Sequence, residues 1–370
     1  MISINTTFAA TGFADTRQGG RKENQDTCAW RDTALGLAVT VCDGMGGGPS
    51  GKTASTIAAD AICRTLSACA PTDDRIEAVR TAIINGNLAI YDAMEADPSL
   101  KGMGTTATVV LLNNQSAVIG HVGDSRVYQF RDGEKIFRTF DHSWVFEQVR
   151  QGTLTEEQAR NSSQSNVITR ALGHTPNLEV DVTEVAYLKG DRFMLCSDGI
   201  WGMFPEPDII RMAARTTSLA GAVETLVVTV DEEGMKTGAT HDNLTVALIE
   251  TTTDSKLQDK MSKKMKYTLA ALAVLLIASL AVNVLQWTKW PASAATPAPV
   301  VADSLKSLPD SILTVKIDSL QRSMEQYQQA QKTYIATIDS LIALIKDKKV
   351  EKADTVLKEE KQRLTSQPVK

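Results

Sequence analysis

Residues 38–55 read AVTVCDGMGGGPSGKTAS, and two readings compete for them. Gly46-x-x-x-x-Gly51-Lys52-Thr53 fits the loop that cradles nucleotide phosphates on backbone amides and a lysine. Alternatively the working residues are Asp43 and Gly44, at the end of an apolar strand, and the loop serves cations. A phosphate cradle tolerates no anion among its amides, yet Asp43 stands just ahead of the glycines. PSGKTASTIAADA then reads as a helix start, with Ser50 as N-cap and Lys52 a solvated residue of the first turn.

Outward from this stretch, short apolar runs bounded by turn residues read as strands: LGLAVTVC, TATVVLLNN, SAVIGHVG, RVYQFRDGEKIFR, RFMLCSD and NLTVALIET. KTASTIAADAICRTLSACA and RIEAVRTAIINGNLAIYDAME carry helical spacing. Several strands follow one another between helices, with a hairpin-like turn at Arg131-Asp132-Gly133. That order predicts an antiparallel α+β layer structure, not a doubly wound parallel sheet.

Four aspartates share one setting, a strand end beside glycine or a small polar residue: Asp43 in VTVCDG, Asp124 in HVGDSR, Asp198 in MLCSDG and Asp242 in HDNLTV. Strand ends at one edge of a sandwich can meet in space. Gathered carboxylates repel one another unless cations intervene. Mg²⁺ or Mn²⁺, which take carboxylate, carbonyl and water oxygens, relieve that repulsion. Two such ions about 4 Å apart would hold a water in its hydroxide form and aim it at phosphorus. Glycine after Asp43 leaves its own carbonyl free to approach a metal.

Residues 10–250 resemble the metal-dependent, type 2C serine/threonine protein phosphatases in their bacterial form. The resemblance is carried in order by GGRKENQD (19–26), VCDGMGG (41–47), GMGTTATVVLL (102–112), VGDSRVYQF (122–130), DHSWVFEQVRQGTLT (141–155), NVITRALG (166–173), LCSDGIW (195–201) and HDNLTVALIE (241–250). It implies a four-layer α-β-β-α sandwich of two antiparallel sheets. It also implies two Mn²⁺ or Mg²⁺ ions per active site, with room for a third. Asp43 would bridge the two metals, Gly44 would give its carbonyl to one, and Asp198 and Asp242 would ligate the other. Asp124, with Asp198, would hold the third. Asp26 would orient water, and Arg21 would grip the phosphate with its planar fork.

Two positions depart from the family pattern. Gln25 stands where many members have glutamate, and Met45 where some carry a histidine proposed as the acid. His142 is then a candidate to protonate the leaving group or bind substrate, and also a candidate anchor for the family's flap, residues 141–172. The implied substrates are phosphoproteins, with a serine/threonine kinase as functional counterpart. A pseudophosphatase adaptor and a nucleotide-binding protein are the competing readings.

The net charge of −5 gives no footprint for nucleic acid. Five cysteines without C-x-x-C spacing read as reduced thiols, and no H-x-x-x-H pair marks a zinc site. The N-terminus lacks the pattern of a signal peptide.

Beyond residues 1–255, the phosphatase domain, a basic linker (256–266) leads to YTLAALAVLLIASLAVNVLQWT (267–288). About 22 uncharged residues at roughly 1.5 Å each reach about 33 Å, enough to cross a bilayer. Five lysines precede this run and one closely follows, which predicts a single-pass inner-membrane anchor with the catalytic domain in the cytoplasm. A Pro/Ala-rich linker (289–310) follows, then an unbroken seven-residue period from Leu313 to Ile345. This predicts an extracytoplasmic coiled coil (311–350), able to form a homodimer or to pack on another protein, before a charged tail (351–370).

Overall fold

The computed structural model describes residues 1–46, 50–238 and 241–258. The expected membrane span, the Pro/Ala-rich linker, the coiled coil and the charged tail lie outside the described residues. So does all of the basic linker beyond residue 258. Among the described residues no helix is long and apolar enough to cross a membrane.

Thirteen strands are present among the described residues. They are β1 (Ile2–Ile4), β2 (Ala10–Arg17), β3 (Thr27–Thr33), β4 (Gly36–Cys42), β5 (Gly44–Met45), β6 (Gly104–Thr105) and β7 (Ala107–Leu112). Then come β8 (Ala117–Val122), β9 (Arg126–Arg131), β10 (Glu134–Arg138), β11 (Asp181–Val185), β12 (Arg192–Cys196) and β13 (Leu244–Thr251). One sheet runs β1-β2-β13-β12-β9-β10 and the other β11-β8-β7-β4-β3, while β5 and β6 form a short ribbon. Every named pairing is antiparallel, as the strand order in the sequence predicts.

The helices α1 (Ser50–Ala68) and α2 (Arg75–Ala96) cover the five-stranded sheet. After the flap helices α3 (Trp144–Arg150) and α4 (Glu156–Arg160) and the one-turn α5 (Asp198–Trp201), helices α6 (Glu206–Ala214) and α7 (Leu219–Lys236) cover the six-stranded sheet. The result is the expected α-β-β-α sandwich.

Side-chain alternation builds these layers. In β4, Leu37, Val39 and Val41 enter the core between the sheets, while Ala38 and Cys42 face α1 and α2. In β12, Phe193 and Leu195 point between the sheets and Met194 and Cys196 point to the helices. Both faces are dry, so these strands read as continuous apolar runs without polar alternation.

The hairpin at Asp132-Gly133 has positive φ at both residues, 50° and 79°, the primed turn that suits the twist of paired strands. Ser50 is the first helical residue of α1, not the residue before it, a one-residue shift of a helix end. After β13 the chain stays pinned to the domain: Lys256 and Leu257 donate main-chain bonds to the carbonyls of Asn114 and Gln115. All five cysteines are free.

Candidate active site

The acids converge because of strand register. Thr27 pairs with Cys42 across β3 and β4, so Asp26 before one strand and Asp43 after the other emerge side by side. Cys196 pairs with Arg126 and with Val246; extending those ladders by two residues sets Asp198 at the same end as Asp124 and the start of β13, next to Asp242. Both sheets thus deliver carboxylates to one edge.

The electrostatics report the same convergence. Removal from water, then the charges of Asp26, Asp198, Asp124 and Asp242, push the Asp43 carboxyl well above the usual carboxylate range. Asp198 is raised in the same way by burial and by Asp124, Asp242 and Asp26. Burial takes Asp124 up to about 7, helped by the charge of Asp141. Burial also takes Asp26 up to about 6, against the pull of hydrogen bonds from Thr245 and Ser197. Asp26 is 1% exposed. Its Oδ2 accepts from the Ser197 hydroxyl at 2.7 Å, yet its Oδ1 and the Oδ1 of Asp198 are buried without a donor. Buried carboxylate oxygens left unpaired are costly. Hard divalent cations are the partners that such an all-oxygen set fits.

Neighbouring residues hold the acids in place. The Asp43 main chain is gripped on both sides: its N–H donates to Thr106 Oγ1 at 2.9 Å, and its carbonyl accepts from the Thr106 N–H and the Thr105 hydroxyl at 2.9 and 2.8 Å. Asn243 staples the Arg21 loop, accepting from the Gln25 N–H and donating to the carbonyls of Gln18 and Glu23. Ser197, Thr105, Thr106 and Asn243 lie within the motifs, but their roles escape sequence reading because each bonds a segment distant in the chain. Ser197 and Asn243 had a signal, their places beside Asp198 and Asp242.

Arg21 donates to Asp242 Oδ2 at 2.6 Å. Together with Lys22, Glu23, Gln25, Gly46 and Asn243, this pair lines a cavity of about 320 Å³. Lys52 is not the solvated residue expected from its first-turn position. Its ammonium reaches back to the Asp26 carbonyl at 2.6 Å and to Thr27 Oγ1 at 3.1 Å. A phosphate-cradle lysine would point its charge at a ligand, and this one is bonded to the acid loop.

His142 stands apart from Arg21 and Asp242 and lines a different cavity, of about 290 Å³, with Trp144, Arg170 and Asp181. Its Nδ1 accepts from the Gly123 N–H at 3.1 Å, which leaves the ring proton on Nε2, 3.1 Å from Asp181. The His142 main chain bonds the Gly123 carbonyl and the Thr169 N–H. His142 therefore ties both ends of the flap to the residue before Asp124, a geometry that suits a flap anchor. His121, His142 and Asp181 bring ligand-type atoms within 4.8 Å of one another, an assembly that histidine spacing in the sequence gave no sign of. The proton that Gly123 forces onto His142 Nε2 occupies the lone pair a metal would need, so His142 and Asp181 work as a hydrogen-bonded clamp with the His121 ring packed 4.6 Å from that of His142.

The sequence profile of the family described as "Protein phosphatase 2C" matches residues 16–238. The chain is 34% identical over 217 residues to "Serine/threonine phosphatase stp" of Listeria welshimeri, covering 57% of this chain and 83% of that one. It is 34% identical over 231 residues to "Serine/threonine protein phosphatase PstP" of Mycobacterium tuberculosis, covering 62% of this chain and 42% of that one. Among solved structures, the catalytic domain of PstP in complex with two manganese ions is similar at 30% identity and a TM-score of 0.55, over 66% of this chain and 98% of that one. The S. agalactiae serine/threonine phosphatase is similar at 30% identity and a TM-score of 0.58, over 65% of this chain and 99% of that one.

Proposed function

This chain belongs to the protein phosphatase 2C family, and from that premise we propose that Asp43, Asp198, Asp242 and the Gly44 carbonyl hold two divalent cations per active site. Its activity is that of a metal-dependent protein serine/threonine phosphatase, and its substrates are phosphorylated proteins. The observation that carries the metal assignment is the meeting of five carboxylates with two buried oxygens left without donors. The manganese pair described for PstP supports a count of two. Asp124 with Asp198 forms the site for a third ion.

When bound, the ions supply positive charge that offsets the carboxylates, polarises the phosphate and makes a water nucleophilic at neutral pH. The residues do the rest. Asp26, tethered through Oδ2, keeps Oδ1 as an acceptor that orients the attacking water. Arg21 grips the phosphate oxygens, which requires it to leave Asp242. Its side chain is 52% exposed, and a solvent-exposed ion pair is worth about 0–1 kcal/mol, so a phosphate dianion displaces it at small cost. Met45 carries no proton to give.

We further propose that residues 267–288 anchor the enzyme in the cytoplasmic membrane, with the catalytic domain in the cytoplasm facing a serine/threonine kinase's products. Residues 311–350 then form an extracytoplasmic helix that pairs two copies. The lysine asymmetry and the heptad period support this arrangement. Extraction of the enzyme from membranes by carbonate, without detergent, would count against it.

The activity is tested on the full chain with a phosphothreonine peptide and Mn²⁺, with ATP hydrolysis measured in parallel. Peptide hydrolysis that needs Mn²⁺ and is abolished by Asp198→Asn is expected. Hydrolysis of ATP with no action on the peptide would return the nucleotide reading.

A further inference from the structure

The first turn of α1 is pressed against the loops that carry the acids. Gly44 and Gly51 meet so closely that a Cβ on Gly44 would lie 2.1 Å from the Gly51 carbonyl oxygen, and one on Gly51 would lie 2.9 Å from that of Gly44. Next in the turn, Lys52 sends its ammonium to the Asp26 carbonyl at 2.6 Å and to Thr27 Oγ1 at 3.1 Å. One turn on, the Ser55 hydroxyl donates to the Gln25 carbonyl at 2.5 Å and lies 2.9 Å from Thr27 Oγ1. Asp26 is therefore held from two directions: its main chain from α1 by Lys52, and its side chain from the other sheet by Ser197.

A charged donor on a main-chain carbonyl is stronger than a neutral one and fixes the plane of the peptide it binds. The plane of the Asp26–Thr27 peptide sets the direction of the Asp26 side chain, which lies against Asp43 and Asp242. The glycine–lysine pair that imitates a phosphate cradle in the sequence thus has a different use in the fold.

We propose that Lys52 is a positioning residue for phosphoester hydrolysis, its ammonium locking the Asp26 main chain so that the free carboxylate oxygen is held where it must orient water. The proposal rests on the phosphatase reading and on no contact between Lys52 and substrate. Loss of a partner that orients a catalytic group of this kind costs about tenfold or more in activity.

The test compares full-length wild type, Lys52→Met and Lys52→Arg. Steady-state constants are measured on a phosphothreonine peptide at saturating Mn²⁺, Mn²⁺ stoichiometry by the electron paramagnetic resonance signal of free ion, and stability by thermal midpoint. Lys52→Met should lower kcat about tenfold, with KM, ion stoichiometry and thermal midpoint close to wild type. Lys52→Arg, whose guanidinium can donate to the same carbonyl, should recover most of the loss. A Lys52→Met enzyme with wild-type kcat overturns the proposal. So does a loss that follows the thermal midpoint and that arginine does not repair. A wild type inactive on the peptide would instead remove the phosphatase reading itself.

Discussion

Asp141→Ala should destabilise the domain more than any change at the rim of the cleft, and the reason lies behind Asp124. Arg126 is 3% exposed and Asp141 2%. The guanidinium meets the carboxylate through two parallel bonds of 2.8 and 2.7 Å, and bonds the Tyr128 hydroxyl at 3.0 Å. It also lies 3.5 Å from the Trp201 ring centroid and 4.8 Å from that of Phe146. Trp201 in turn donates from Nε1 to the Asp124 carbonyl at 3.0 Å. Removing Asp141 strands a buried cation, which costs about 3–5 kcal/mol. At about 2–4 °C per kcal/mol for a domain of this size, the thermal midpoint should fall by about 6–20 °C. The companion Arg126→Met/Asp141→Leu removes both charges and refills the volume, so it should be more stable than either single change. Thermal unfolding followed by circular dichroism, with phosphopeptide hydrolysis measured below each midpoint, reads both the packing and the link to Asp124. A midpoint for Asp141→Ala within about 2 °C of wild type would refute the reasoning. A double variant as unstable as the sum of its parents would do the same.

Arg21→Ala should raise KM for a phosphopeptide and lower kcat/KM by about tenfold or more, the worth of a charge-assisted bond to phosphate. Arg21→Lys should recover only part, because the ammonium lacks the fork; unchanged kinetics in both would move the phosphate grip elsewhere. Burial, aided by the charge of His142, pushes His121 from 6.5 down to about 3. A histidine depressed in the folded state contributes stability above 6.5 that is lost as pH falls toward 3, because the unfolded chain takes the proton first. About 2 kcal/mol should therefore go between pH 6.5 and 5. Urea titrations of wild type and His121→Asn across that range should diverge by this amount, and parallel profiles would show that His121 does not titrate on unfolding.

Much of the layer structure was legible in the chain. The runs 35–42, 106–114 and 243–251 read as strands because both of their faces are dry. The runs 52–70 and 75–95 read as helices because their small and apolar residues repeat at helical spacing. Other elements gave no such signal. In β3 four of the seven residues are partly exposed, two are exposed and only Thr33 is buried, so its sequence, TCAWRDT, carries neither an apolar run nor clean alternation. The strand exists because β4 offers it a ladder. The flap helices α3 and α4 are only seven and five residues long, too short for a periodic pattern to stand out, and they depend on caps and on packing against Arg126, Arg138 and Trp201.

The chain by itself singled out the candidates: Asp43, Asp124, Asp198 and Asp242 from their shared setting at strand ends, and Asp26 and Arg21 through the motifs that carry the family resemblance. Tertiary structure alone decided what those groups feel and what holds them. Opposition of Asp26 to Asp43 follows from the pairing of residues 27 and 42, and the crowding that raises Asp43 needs charges from positions 26 to 242 at one edge. Lys52 changed from a solvated residue to a clamp once its neighbours were known, and of the roles open to His142 its bonds favour the flap anchor. The physical reason is range. Spacing along the chain reports which face of one element is buried, whereas register, desolvation and hydrogen bonding between distant segments exist only after the sheets have closed.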